Sequence, residues 1–471
     1  MNYRDFLRAL FFLFILVLLV SGNISADENL KGEAVEPILF RDVSSASTFD
    51  ILFDSPVAFS ISVRPSSITS ADFNGDGIFD LGVANSGSDN VSILLGNGEG
   101  TFTNAENYSV GDRPIFITNA DFDSDGNIDL ATANSMSSNV SILLGNGDGT
   151  FTDAANYSAS MYPSSIFCAD FDGDSNIDFA VAKTASDSVS IFSGNGDGTF
   201  KFEATYNAGI SPSSVTGSDF DFDGNIDIAV ANSESDDISV FLGNGDCAFV
   251  PQTNYDTDEW PNSVLSDDFD GDGDADLVVL NFTGRSLDIF TGNGDGTFTY
   301  AVEYSTGTAP GSITSEDFNG DAVVDLVVAN ENYDNLSILS GNGDGSFDYG
   351  VNVAAGDSPF SLTSSDFDGD GEIDLAVTNR YADEVSILIN ITSNILLTSG
   401  PAEGEHITGT STNICWTLDD NPPAQESVTY SHQLDGGGFS VWSGDTCAAL
   451  SSLSEGSHLF EIKAKDAAGN V

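Results

Sequence analysis

The 471-residue chain has little positive charge. Twelve Lys and Arg stand against 74 Asp and Glu, a formal charge of −62. Only Arg64, Arg113, Lys183, Lys201, Arg285 and Arg380 fall between residues 51 and 390. Affinity for phosphate needs clustered Lys and Arg, so nucleic acid is excluded as a partner. Histidine is scarcer still: His406, His432 and His458 all lie near the C-terminus. Residues 51–390 therefore hold no Ser-His-Asp or Cys-His constellation, and no His for zinc or copper. Of four cysteines, Cys168 and Cys247 occupy non-equivalent places and are expected unpaired. Cys415 and Cys447 are the plausible disulfide, which export permits. No stretch carries a helical period.

Long apolar runs are absent except at the N-terminus. There, Arg4 and Arg8 precede an apolar core from Ala9 to Val20, and small residues end at Ala26. This is the pattern of a secretory signal peptide, residues 1–26. The run is short for a membrane span, so the mature chain is expected to be secreted or held at the cell surface, without a span. Residues 27–50 read as a loose polar leader.

What the chain has in abundance is glycine, 48 residues, and Phe, 34 residues, in a strict internal period. The stretch Asp72 to Asp80 reads DFNGDGIFD, and it recurs every 49 residues without insertion or deletion. Oxygen-bearing side chains occupy its first, third, fifth and ninth positions. They are Asp72, Asn74, Asp76 and Asp80; Asp121, Asp123, Asp125 and Asp129; Asp170, Asp172, Asp174 and Asp178; and Asp219, Asp221, Asp223 and Asp227. The series continues with Asp268, Asp270, Asp272 and Asp276; Asp317, Asn319, Asp321 and Asp325; and Asp366, Asp368, Asp370 and Asp374.

Each repeat reads as four short strands bounded by Gly, Asn, Asp or Pro, the size of a β-propeller blade. A G-N-G turn recurs from Gly96 to Gly341 but is missing after the seventh loop, where Asn390 replaces the first Gly. The seventh repeat thus lacks its fourth strand. Phe53 lies 49 residues before Phe102, and Phe59 the same distance before Tyr108. Residues 51–61 are therefore expected to supply that strand and close a seven-bladed ring over 51–390, removing an exposed edge. From residue 395 the period stops. The Cys415, Trp416, Trp442 and Cys447 pattern suggests a small Ig-like β-sandwich over 395–471, cut short at the last residue.

Alternating oxygens along a tight loop suit a hard cation, and the donor set points to Ca²⁺, up to seven ions. Position twelve is apolar or Thr rather than acidic, so these are not EF-hands. Turns of Asp and Gly also form without any ion, but four carboxylates in one turn repel one another when unliganded. The sixth loop, with Asn319 and with Ala322 in place of Gly, is expected to be the weakest site.

The DxDxDGxxD pattern with G-N-G-D-G-T-F half a repeat later resembles the FG-GAP/VCBS repeat family, which includes the propeller of integrin α subunits. The resemblance implies that the loop residues bind Ca²⁺ in a largely structural role, and that ligands meet the opposite face. The C-terminal segment resembles Ig-like modules of bacterial surface proteins.

The turns of that opposite face precede a proline in every repeat, and the residue before it varies: Arg64, Arg113, Tyr162, Ser211, Trp260, Ala309 and Ser358. Five of the six basic residues fall in turns of this face, Lys201 being the exception. Arg64, Arg113, Tyr162, Trp260, Arg285, Arg380 and Tyr381 are the candidate ligand contacts, because Arg and aromatics dominate interaction hot spots. A carbohydrate, polyanionic or extracellular protein ligand, met by a monomeric, non-enzymatic adhesion or recognition protein, is the expected function. A structural spacer of a larger surface protein and a propeller-based polysaccharide hydrolase or lyase remain as alternatives.

Overall fold

The computed structural model describes residues 51, 53–152, 155–350 and 352–391, together with the strands Leu16–Leu19, Ile395–Ser399, Ser411–Leu418, Thr429–Leu434, Cys447–Ser451 and Leu459–Lys465. Residues 50–391 form one unit, a seven-bladed β-propeller of four-stranded antiparallel sheets. The first blade runs Pro65–Ala71, Asp80–Asn85, Asn90–Gly96 and Phe102–Ser109.

The second strand of every blade is buried along all six residues. It is covered on both faces by neighbouring blades, which is why DLGVAN and its copies read as continuous apolar runs rather than alternating ones. Between blades sit the phenylalanines. The loop's second residue, from Phe73 to Phe367, is at most 3% exposed. Each meets a Phe of the following blade edge-on, as Phe73 meets Phe151 at 5.5 Å and Phe220 meets Phe298 at 5.1 Å between ring centroids. Such pairs add about 0.5–1.5 kcal/mol beyond area burial.

Closure follows the expected register. Val57–Ser60 pairs with Glu384–Leu388 in the seventh sheet, Phe59 opposite Val385. Phe53 bridges Asn390 and packs on Phe318 at 6.0 Å, the place taken by a G-N-G-x-x-x-F phenylalanine elsewhere. Asn390 also resolves why the seventh repeat can lack that turn. In the other blades the residue four places after the first Gly donates its main-chain N–H to the loop Phe of the preceding blade, as Gly149 does to Phe73 at 3.0 Å. The Asn390 side-chain Nδ2 donates to Phe318 O at 2.8 Å instead.

Outside the propeller, Ile395–Ser399, Ser411–Leu418 and Cys447–Ser451 share one sheet, with Cys415 directly opposite Cys447. Leu16–Leu19, inside the expected signal peptide, pairs with Leu459–Lys465. The expected cleavage point after Ala26, the 27–50 leader and most of the expected sandwich lie outside the described residues. Among the described residues no helix is long and apolar enough to cross a membrane.

Candidate metal centres

Each acidic loop joins the first strand of a blade to its second, and local polar chemistry sets its shape. In the first loop, Asp72 Oδ1 accepts from Gly75 N at 2.7 Å and Oδ2 from Gly77 N at 2.8 Å. Asn74 Oδ1 accepts from Asp76 N at 2.9 Å, and Asp76 Oδ1 from Ile78 N at 2.9 Å. The loop thus winds around its own carboxylates, with Gly75 and Gly77 at positive φ.

The ninth-position Asp is different. Asp80 is fully buried, and both its oxygens accept main-chain N–H groups, from Phe73 at 3.0 Å and from Gly96 at 2.8 Å. Asp129, Asp178, Asp227, Asp276, Asp325 and Asp374 repeat the arrangement, with Asn390 N standing in for glycine in the last. This residue latches the loop to the G-N-G turn of its own blade. The first Gly of that turn is required by close approach: a Cβ at Gly145 would meet Ile128 O at 2.3 Å. The sequence reading assigned the ninth Asp to the cation alone. Its constant 16-residue spacing from the turn glycine is the signal that could have shown the latch.

Burial raises the carboxyls of Asp80, Asp129, Asp227 and Asp276 to about 6, that of Asp325 to about 7 and that of Asp374 to about 8, against the two N–H donors, which lower them. Neighbouring loop carboxylates add to the rise. Four acidic side chains concentrated this way fit a hard divalent cation. One oxygen each from Asp121, Asp123 and Asp129 lie within 4.8 Å of one another, as do those of Asp219, Asp221 and Asp227, and of Asp268, Asp270 and Asp276. In the third loop, Asp170, Asp172 and Asp174 form such a group, and Cys247 joins Asp172 and Asp178 in another. Cys247 is buried where five other blades carry Gly, and its Sγ lies 3.4 Å from Asp178 Oδ2. Burial pushes its thiol well up.

The opposite face is built by the turns that enter each blade and those between second and third strands. All seven residues before proline have φ between 55 and 65°. In five of them the main-chain N–H is held by an Asp of the preceding blade: Arg64 by Asp383 at 2.7 Å, Arg113 by Asp89 at 2.8 Å, Ser211 by Asp187 at 3.0 Å, Trp260 by Asp236 at 2.8 Å and Ser358 by Asp334 at 2.9 Å. A left-handed residue other than Gly costs about 1–2 kcal/mol, and a hydrogen bond to a charged acceptor returns about 1.5–3 kcal/mol. Arg64, Arg113, Tyr162, Trp260, Arg285 and Tyr381 are exposed here. Arg380 is half-buried, its guanidinium 4.2 Å from the Phe360 ring centroid. Lys183 departs from the expectation. It ends a buried strand at 3% exposure, in the place of a buried Asn in the other blades, and does not reach the surface.

An FG-GAP-like repeat model matches residues 121–181, 170–230, 219–279, 268–328 and 317–377, more than half the chain. The chain belongs to the FG-GAP-like repeat family. The matches run from the second loop through the seventh, and the first loop of this FG-GAP protein, outside them, has the same geometry. Among curated proteins none matches the chain. Among solved structures, BBS1N in its complex with ARL6DN is similar at 13% identity and a TM-score of 0.54, covering 72% of this chain and 97% of that one. A putative 6-phosphogluconolactonase from Bacteroides uniformis matches at 14% identity and 0.53, covering 73% and 98%. A Lactobacillus plantarum protein matches at 13% and 0.50, covering 87% and 99%. These likenesses concern the fold.

Proposed function

We propose that this FG-GAP propeller is a secreted or cell-surface recognition protein, non-enzymatic and monomeric, whose blades are stiffened by calcium. The observation that carries the reading is the recurrence of carboxylate oxygens gathered within 4.8 Å in several loops. All donors in the loops are oxygen, which favours Ca²⁺ over zinc or copper. The first, third, fifth and ninth side chains of each loop would hold the ion, which supplies the charge that the clustered carboxylates lack. Calcium here fastens the fold, and the opposite face meets a carbohydrate or extracellular protein. A signal peptide at 1–26 and an Ig-like module closed by Cys415–Cys447 complete the reading. The test has two parts. Calorimetry should detect calcium binding that loop Asp→Ala variants lose. An array of glycans and extracellular proteins should then give a ligand that Trp260→Ala with Arg113→Ala no longer holds. A calcium-loaded, folded protein that binds nothing on the array would favour the spacer.

A further inference from the structure

We propose that Arg64, Arg113 and Arg380 together receive the acidic groups, sulfate or carboxylate, of an anionic polysaccharide. The inference deepens the recognition reading above and rests on it.

Only six cations occur among residues 51–390. Three of them converge on the face away from the acidic loops: Arg380 from the seventh blade, and Arg64 and Arg113 from the turns entering the first and second blades. Arg64 and Arg113 are near enough to add to the burial that lowers the Arg380 pKa. The single ion pair among the described residues is Lys201–Glu203, so none of the three arginines is in one. The Arg380 Nε is buried and has no hydrogen-bond partner. Its guanidinium carbon lies over the Phe360 ring, 4.2 Å from the centroid.

Three of the acids nearby already accept hydrogen bonds. Asp383 and Asp89 accept the main-chain N–H groups of Arg64 and Arg113. Glu331, whose charge acts on Arg380, accepts from Ser358 Oγ at 3.2 Å. Asp112 is exposed beside Arg113.

Guanidinium forks match the planar carboxylate and the sulfate oxygens in two-point contacts. Tyr381, 61% exposed and 6.0 Å from the Arg64 guanidinium, gives a flat ring against which a sugar can lie. That pairing of an aromatic platform with fixed cations favours a charged saccharide. The net charge of −62 opposes the approach of any polyanion. Salt screens the distant acids beyond about 10 Å at 0.1 M while contact pairs persist. Binding should therefore be strongest at intermediate salt rather than at the lowest.

The full chain, loaded with calcium, is titrated with heparin, polygalacturonate and dextran over a salt series. One or both acidic polymers should bind and neutral dextran should not, and the two acidic arms separate sulfate from carboxylate. Arg64→Gln with Arg113→Gln should weaken binding about ten-fold or more, and Arg380→Gln should do the same with an unchanged melting temperature. Lys201→Gln, on the other side, should leave it unaltered. Failure of both acidic polymers to bind at any salt overturns the proposal, and so does full binding by the double arginine variant. A protein that ignores both polymers yet captures a neutral glycan through Trp260 overturns this inference alone. A folded, calcium-loaded protein with no ligand of any kind overturns both readings.

Discussion

Removing calcium is the perturbation that bears most directly on the loops. Each cation that binds only the folded state adds RT ln(1 + [Ca²⁺]/Kd), about 1.4 kcal/mol at ten times Kd. Sites of extracellular modules have Kd of about 0.1–1 mM, so about 1 mM calcium reaches that ratio at the tighter end. Seven such sites would contribute about 10 kcal/mol, comparable to the whole stability of an ordinary domain. The propeller spans roughly 340 residues, and unfolding entropy near 2.1 cal/mol/K per residue gives about 0.7 kcal/mol/K. Chelation should then lower Tm by about 14 °C, from the loss of binding alone. The ninth-position latches survive, because their N–H partners are main-chain groups, so the protein in EDTA should still unfold cooperatively. Scanning calorimetry in about 1 mM calcium and in excess EDTA makes the comparison. A Tm that moves by less than about 2 °C would refute the structural role of the cation, since even two such sites should shift it by more.

Four further outcomes follow from the same geometry. Asp276→Ala should cost about 2–5 kcal/mol even in EDTA, because two buried N–H groups lose their acceptor, whereas Asp270→Ala should register in urea titrations only when calcium is present. Ala322→Gly should stabilise the sixth blade by about 1 kcal/mol, since Ala322 sits at φ 64° where five loops use Gly; an unchanged urea midpoint would count against a strained loop. Asn390→Ala removes donors to Phe318 O and Ile373 O, and should cost about 1–2 kcal/mol, with amide exchange rising first at the junction of blades six and seven. The ninth-position carboxyls are raised above the ordinary Asp value near 3.9, so in EDTA their contribution is full at low pH and is lost as pH rises through about 6 to 8; urea midpoints in EDTA should be higher at about pH 5 than at about pH 8, and saturating calcium should reverse the order because it competes with protons.

The fold was legible because the repeat never slips. Two positions in register, Phe53 against Phe102 and Phe59 against Tyr108, locate the closing strand, and the structure pairs that strand as expected. The acidic loops were equally visible, since their side chains alternate with turn glycines. Other features were hidden because they join residues far apart or in different blades. Asp80 and Gly96 are 16 residues apart, and their hydrogen bond reads as two unrelated turn signals. The clasp of Asp89 on Arg113 crosses a blade boundary. Lys183 reads from the sequence as a surface cation, because a sequence shows where a turn lies but not how deeply the end of a strand is packed. Arg380 lies in a turn of the face opposite the acidic loops, yet its contact with the Phe360 ring depends on a neighbour 20 residues earlier in the chain.

The ring of left-handed residues before proline has a consequence for how such a surface can change. Each stands directly before a proline, and in five cases an Asp of the preceding blade accepts its main-chain N–H, so the backbone carries most of the hold. The positions accept Arg, Tyr, Ser, Trp and Ala in turn, with a nearly constant φ. Four of the seven, Arg64, Arg113, Tyr162 and Trp260, are exposed sockets that can be refitted singly, whereas Ser211, Ala309 and Ser358 are buried. Retargeting the protein becomes a matter of choosing heads for fixed pegs, and a combinatorial library confined to those four exposed residues should retain the melting behaviour of the parent while its ligands diverge.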